Sequence, residues 1–189
     1  MTIHIEQIHH VAYRCKDAKE TVEWYKKNLN MDFILAFAED RVPSTKAPDP
    51  YMHLFLDAGN GNVLAFFELP TKPEMGRDDN TPTWVQHLAL RVKDRAALVE
   101  AKQHLESNGV EVLGITNHGL FHSIYCFDPN GHRIELTYDD PKAAEKIALI
   151  TEEMKHDMLE EWTRTKKAPH HTQFLHAEEL DEVTAKTKQ

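Results

Sequence analysis

Cysteine is scarce. Two thiols, Cys15 and Cys126, occur in 189 residues. Both fall inside predicted strands, so a disulfide framework is excluded and buried thiols in a reducing cytoplasm are expected. No apolar run approaches the roughly 18 residues that a membrane-crossing helix requires. The opening MTIHIEQIHH has neither the basic nor the apolar stretch of a secretory leader. Basic patches are missing as well. The net charge is -9, which argues against nucleic acid or an anionic membrane as partner. There is no P-loop, no Rossmann glycine fingerprint, no zinc-finger cysteine spacing and no nucleophile elbow.

What remains is ordinary for a soluble globular chain, with 41% apolar and 28% charged residues. The length suits one well-filled domain, or two small modules sharing a core. Histidine is abundant at 13 residues, which raises the expectation of a metal site slightly.

The first module is expected over residues 1–70. QIHHVAYR (7–14) reads as a strand, and Asp17 with Glu20 as the N-terminal signature of a helix reaching Leu29. Val22, Tyr25 and Leu29 form its predicted apolar stripe. Strands follow at 31–38, 51–57 and 62–69, with the proline-bearing 41–50 read as a surface loop or lid. Residues 71–83 read as a linker. A second module is expected over 84–140: a strand to Arg91, a helix capped by Asp94 and ended by Gly109, then three more strands. A helix with Ile147, Ile150, Met154, Met158 and Trp162 on one stripe is expected over 141–166. Residues 167–189 read as a mobile tail, and His170, His171 and His176 in it as solvated.

The order strand, helix, strand, strand, strand thus occurs twice. IHHVAYRCKD (8–17) lies over VQHLALRVKD (85–94), with His10/His87, Ala12/Ala89, Arg14/Arg91, Lys16/Lys93 and Asp17/Asp94 identical. FFEL (66–69) lies over RIEL (133–136). The hairpin GLFHSIYCFDPNGHRIELTY (119–138) turns at Asp128-Pro129-Asn130-Gly131, where Pro suits the second turn position and Asn-Gly tolerates positive φ. Alternation puts Glu135 in mid-strand on the face opposite Ile134 and Leu136. A strand is a poor place for Glu unless something rewards the charge, and a metal ion is one such reward.

Two repeats of this unit, His early in the first strand and Glu in the last, resemble the vicinal oxygen chelate superfamily. That group includes glyoxalase I, epimerases, bleomycin-resistance proteins and extradiol dioxygenases. The resemblance implies an α+β fold in which two tandem βαβββ modules form a cupped mixed sheet around a metal. It implies His10, His87 and Glu135 as ligands of a divalent ion, Fe(II) first, with Mn(II), Ni(II) or Zn(II) as alternatives. It also implies a small-molecule substrate with vicinal oxygens, and a homodimer. Two imidazoles and a carboxylate leave the other side of a metal open, as in non-haem Fe(II) oxygenases.

Two features compete over the reaction. HGLFHSIYCFDPNGHRIEL is similar to the extradiol dioxygenase signature, which implies Tyr125 and His118 as catalytic groups beside the metal, with His122 a weaker candidate. Tyr125 would donate to a developing oxyanion, and His118 would exchange a proton near neutrality. Glu68 pulls the other way. In glyoxalase I a Glu at the matching position is a fourth ligand and the base, which implies a lyase or isomerase. The register at Glu68 is the weaker of the two, because it lies seven residues after Gly61 whereas Glu135 lies four after Gly131. The first expectation is an extradiol-type ring-cleavage dioxygenase acting on a catechol-like diol. The second is the glyoxalase-like reaction through Glu68, and the third a metal-free binding or resistance protein.

Overall fold

The computed structural model describes residues 3–168; the predicted tail, with its three histidines, lies outside them from residue 169 on. Eight strands and four α-helices follow in the order βαβββ, βαβββ, then helix. They are β1 (Val11–Cys15), α1 (Ala18–Leu29), β2 (Asp32–Arg41), β3 (Pro48–Asp57), β4 (Val63–Glu68), β5 (His87–Arg91), α2 (Arg95–Ser107), β6 (Leu113–Asn117), β7 (Phe121–Phe127), β8 (Arg133–Asp139), α3 (Ala144–Leu149) and α4 (Lys155–Thr165). Two four-stranded sheets result, ordered β1-β4-β3-β2 and β5-β8-β7-β6. The same order in both sheets is the structural form of the sequence repeat. No helix among the described residues is long and apolar enough to cross a membrane.

Contacts divide the chain into two units, and the division does not follow the modules. One unit holds Met1–Leu88, Ser107–Val110 and Cys126–Ile134; the other holds Ala89–Glu106, Glu111–Tyr125 and the chain from Glu135 on. The β7–β8 turn therefore belongs to the first unit.

Within that unit β1 pairs with β4 in parallel, Tyr13 opposite Phe66, while β4–β3 and β3–β2 are antiparallel. Alternation sorts the sheet into two faces. Leu54, Leu56, Leu64 and Phe66 share one face and are almost fully buried. Tyr25 of α1 packs there, its ring 5.2 Å from that of Phe66. Each such buried side chain stabilises the fold by about 1.5–3 kcal/mol. Asp17 caps α1 as expected, its carboxylate accepting from Glu20 N at 2.7 Å. The buried stripe of α1 is Thr21, Tyr25 and Asn28, not the predicted Val22, Tyr25 and Leu29. Polar side chains are recruited because the turn at 128–131 packs against them. Tyr25 Oη donates to Asp128 Oδ2 at 3.1 Å, and Asn130 Nδ2 donates to Thr21 Oγ1 at 3.1 Å.

The expected loop at 41–50 is much shorter than predicted. β2 runs on to Arg41 and β3 starts at Pro48, so only six residues turn between them. Proline at the start of a strand is tolerated because its nitrogen need not donate to the ladder. β5 begins at His87, not Trp84. The C-terminal helix is not continuous either. A 3-10 turn over Pro141–Ala143 leads into α3, and a π-helical turn over Ile150–Met154 separates α3 from α4.

Candidate functional site

On the other face of the first sheet stand histidine and aromatic rings. The His53 ring lies flat on Phe67, with centroids 3.6 Å apart and planes at 7°. His10, just ahead of β1, brings its ring 6.2 Å from His53 and 5.8 Å from Phe55. Phe37 closes the group, 5.3 Å from His53. His53 is 5% exposed, and its Nδ1 lies 3.0 Å from the Phe66 carbonyl. Nδ1–H donates to that oxygen, leaving Nε2 as the basic nitrogen. Burial lowers the His53 pKa below its ordinary value; the hydrogen bond to Phe66 partly opposes this, and His10 adds to the lowering. His53 is thus a neutral imidazole beside His10. It was passed over in the sequence because it has no counterpart in the second repeat; its position in an alternating strand was the available signal.

Glu68 is on the opposite face. It pairs with Cys15 and Met52, in step with Phe66 and Leu64. Its Oε2 accepts from Ala18 N at 2.7 Å, at the first turn of α1. A carboxylate there neutralises an orphan amide and the positive end of the helix. Glu68, expected as a fourth ligand, stands on the sheet face opposite the one that His10 shares with Phe67. Phe67 occupies the place on the His10 face.

His87 opens β5, and its Nδ1 lies 3.0 Å from Val85 O. Such a bond fixes the tautomer and presents Nε2 as a ligand atom.

In the second unit, β7 and β8 hold a polar cluster. Glu135 is 3% exposed. Its Oε1 accepts from the Ser123 hydroxyl and, at 3.2 Å, from Tyr125 Oη. His118 Nε2 is 2.7 Å from the same Tyr125 oxygen. Because the tyrosine proton is directed at Glu135, the His118 ring N–H is the donor in that pair. His118 is held in the β6–β7 turn by its own backbone, His118 N donating to Phe121 O at 2.9 Å. Ser123 and Tyr125 alternate onto one face of β7, which places His122 on the other, stacked on Tyr138 with centroids 5.2 Å apart. Ser123 drew no attention in the sequence, since a serine in a strand carries no motif.

Two imidazoles and a carboxylate are the donor kinds that suit a non-haem divalent metal. His10 and His87 fall in the first unit and Glu135 in the second. Among the described residues no three His, Cys, Asp or Glu side chains gather as a metal site would. The donor chemistry of His10, His87 and Glu135 fits such a metal.

A repeated βαβββ unit with His and Glu at these strand positions defines a class of paired-module α+β proteins. Residues 7–136 match the family model described as Glyoxalase/Bleomycin resistance protein/Dioxygenase superfamily, and the chain belongs to that superfamily. Its members generally use divalent metals, bind small molecules and typically form dimers. A protein of Bacillus subtilis (strain 168) named "Putative ring-cleaving dioxygenase MhqA" is 29% identical over 140 residues. That match covers 72% of this chain but 41% of the relative, so the chain spans about two fifths of its length. Among solved structures, a glyoxylase/bleomycin resistance protein/dioxygenase domain from Frankia sp. EAN1pec superposes with a TM-score of 0.58 at 15% identity, covering 72% of this chain and 100% of that one. The fosfomycin resistance protein FosX from Mesorhizobium loti gives 0.54 at 16%, covering 77% and 99%. These two share the fold.

Proposed function

We propose that the chain is a metal-dependent, extradiol-type ring-cleavage dioxygenase acting on a catechol-like vicinal diol. The observation that carries this reading is the line His118–Tyr125–Glu135, in which a histidine and a phenol are joined to a buried strand carboxylate. His10, His87 and Glu135 would hold the ion, Fe(II) first and Mn(II) next. When bound, such an ion supplies Lewis-acid chelation of two adjacent oxygens and a position for dioxygen. The remaining work belongs to the chain. Tyr125 donates a hydrogen bond to one substrate oxygen. His118, donating to the Tyr125 oxygen, replaces the proton of that phenol when the phenol has passed its own on. Within the first unit, His53 stands beside His10 among the rings of Phe37, Phe55 and Phe67, an imidazole with apolar ring faces on one side of its sheet. A homodimer in the cytoplasm completes the reading.

The glyoxalase-like reading would need Glu68 as its base; the hydrogen bond from Ala18 N to Glu68 favours the dioxygenase reading over it. A metal-free binding role has no specific observation in its favour.

The test is oxygen uptake by anaerobically prepared, Fe(II)-loaded protein offered a panel of catechols, with ring-opened product followed by absorbance. Uptake that disappears in His87→Ala supports the proposal. No uptake from any catechol, with one ion bound per chain, overturns it.

A further inference from the structure

A cavity of about 660 Å³ in the first unit is bounded by the linker between the modules, by β1, by the start of β5 and by the β7–β8 turn. That volume falls within the range of small-molecule sites. Its wall is built. The Arg14 guanidinium donates to Pro73 O at 2.6 Å, and Lys72 pairs with Asp49 at 2.8 Å, so the linker is tied to the sheet at two points.

The charges on that wall are out of keeping with the chain. Lys16, Arg77 and Arg133 line the cavity, against one carboxylate, Asp78. Asp78 is committed to its own turn, accepting from Asn80 N at 3.0 Å and from the Thr81 hydroxyl. These bonds hold its pKa below the ordinary value, so it stays ionised without answering the cations. The wall thus carries more cation than anion in a chain whose net charge is -9, with Lys16 Nζ donating to Pro129 O at 3.0 Å and Arg133 to Thr83 O at 3.5 Å. Aromatic surface stands beside them. The Arg77 guanidinium carbon is 5.6 Å from the Phe127 ring centroid, and Tyr13 lies stacked on His132 at 4.8 Å. A guanidinium held over a ring keeps its edge N–H groups available for bidentate contact with a planar carboxylate.

We propose that this cavity binds an organic anion, a carboxylate on a flat aromatic body, with Arg77 and Lys16 receiving the carboxylate and Tyr13 and Phe127 flanking the ring. His87, assigned to the metal above, also lines the cavity; the titration is therefore made on metal-stripped protein, so that its outcome and that of the dioxygenase reading are separable. Inorganic phosphate would meet the cations but leave the aromatic wall uncovered, so it is the discriminating competitor.

The experiment is calorimetric titration of the full chain, stripped of metal by a chelator, with benzoate and 2-naphthoate and with their neutral amides. The expected result is saturable binding of one carboxylate per chain, the naphthoate tighter, and the amides at least about tenfold weaker. Arg77 is exposed, so Arg77→Gln leaves the thermal unfolding midpoint unchanged while weakening the carboxylate by about tenfold or more. Lack of saturation with either carboxylate up to about 10 mM, a weak-binding ceiling, would overturn the site. So would amides that bind as well as acids, or full affinity in Arg77→Gln. Phosphate that displaces naphthoate at equal concentration overturns the aromatic-carboxylate assignment.

Discussion

Tyr125 and Ser123, two residues apart on one face of β7, both donate to a single oxygen of Glu135, Oε1. The Ser123 hydroxyl thereby holds the carboxylate without the tyrosine. Tyr125→Phe consequently keeps the fold and the ion while removing the phenol that meets substrate. Turnover of a catechol should drop by about 10²–10³-fold, with KM moved less than kcat. Steady-state oxygen uptake and metal content on the same preparation check this. An unaltered kcat sets Tyr125 aside as a packing residue.

Glu68 gives the opposite prediction. Its role is to hold Ala18 N at the start of α1. Glu68→Gln should retain catechol turnover, and Glu68→Ala should cost stability by about 1 kcal/mol through the lost cap. Chemical denaturation and the uptake assay separate the two effects. Abolished activity in a folded, metal-replete Glu68→Gln protein returns the carboxylate to the reacting centre.

The contrast between Glu135 and Glu68 shows which features of this chain can be read without coordinates. Both glutamates stand in a last strand of a module, and both align in the repeat. The tight Asp128–Gly131 turn pins β8, and the structure keeps Glu135 in the expected phase against Ile134 and Leu136. The longer link before Glu68 leaves β4 free to slip by one, and the alternation in FFEL, two aromatics in succession, does not say which faces in. The helix α1 was anticipated almost to the residue because its signals are local, a cap at one end and Asn30 in the left-handed region at the other. Its buried face was not, because Thr21 and Tyr25 meet a turn more than a hundred residues away. His53 was passed over for a related reason. Its significance comes from His10 and Phe67 across two strand pairings, and no window of sequence contains all three.

The Asp128 turn makes a stability prediction. Asp128 is 5% exposed and accepts from Tyr25 Oη, from Asn130 through both its backbone and its side chain, and from His132 N. Removing the carboxylate strands several buried donors at once. Asp128→Ala should lower stability by about 2–4 kcal/mol, and Tyr25→Phe by about 1 kcal/mol. The double variant should fall short of the sum, because both changes delete the same bond. Urea denaturation of the four proteins measures the coupling; strict additivity would mean that the turn and α1 act separately.

The thiols set the alkaline limit. Burial pushes Cys15 and Cys126 each up to about 11 from an ordinary 9.0, with nearby carboxylates adding to the effect. Tyr25, buried and facing Asp128, is likewise raised well above its ordinary value. Below pH 9 both thiols are protonated whether the chain is folded or not, and they contribute no slope. Between about 9 and 11 the unfolded chain releases thiol protons that the folded chain retains, so stability falls as pH rises through that window, with Tyr25 adding to the loss on the alkaline side. The slope for the pair is bounded at about 2.7 kcal/mol per pH unit, twice the single-site limit. Denaturation midpoints at pH 9, 10 and 11 should therefore decline, and Cys15→Ala/Cys126→Ala should flatten the decline whatever its baseline stability. In the native protein at pH 8 neither thiol should react with Ellman's reagent on the timescale of minutes, because both are buried and protonated. Rapid reaction of either thiol in folded protein would show that its strand opens far more readily than its packing against the core implies.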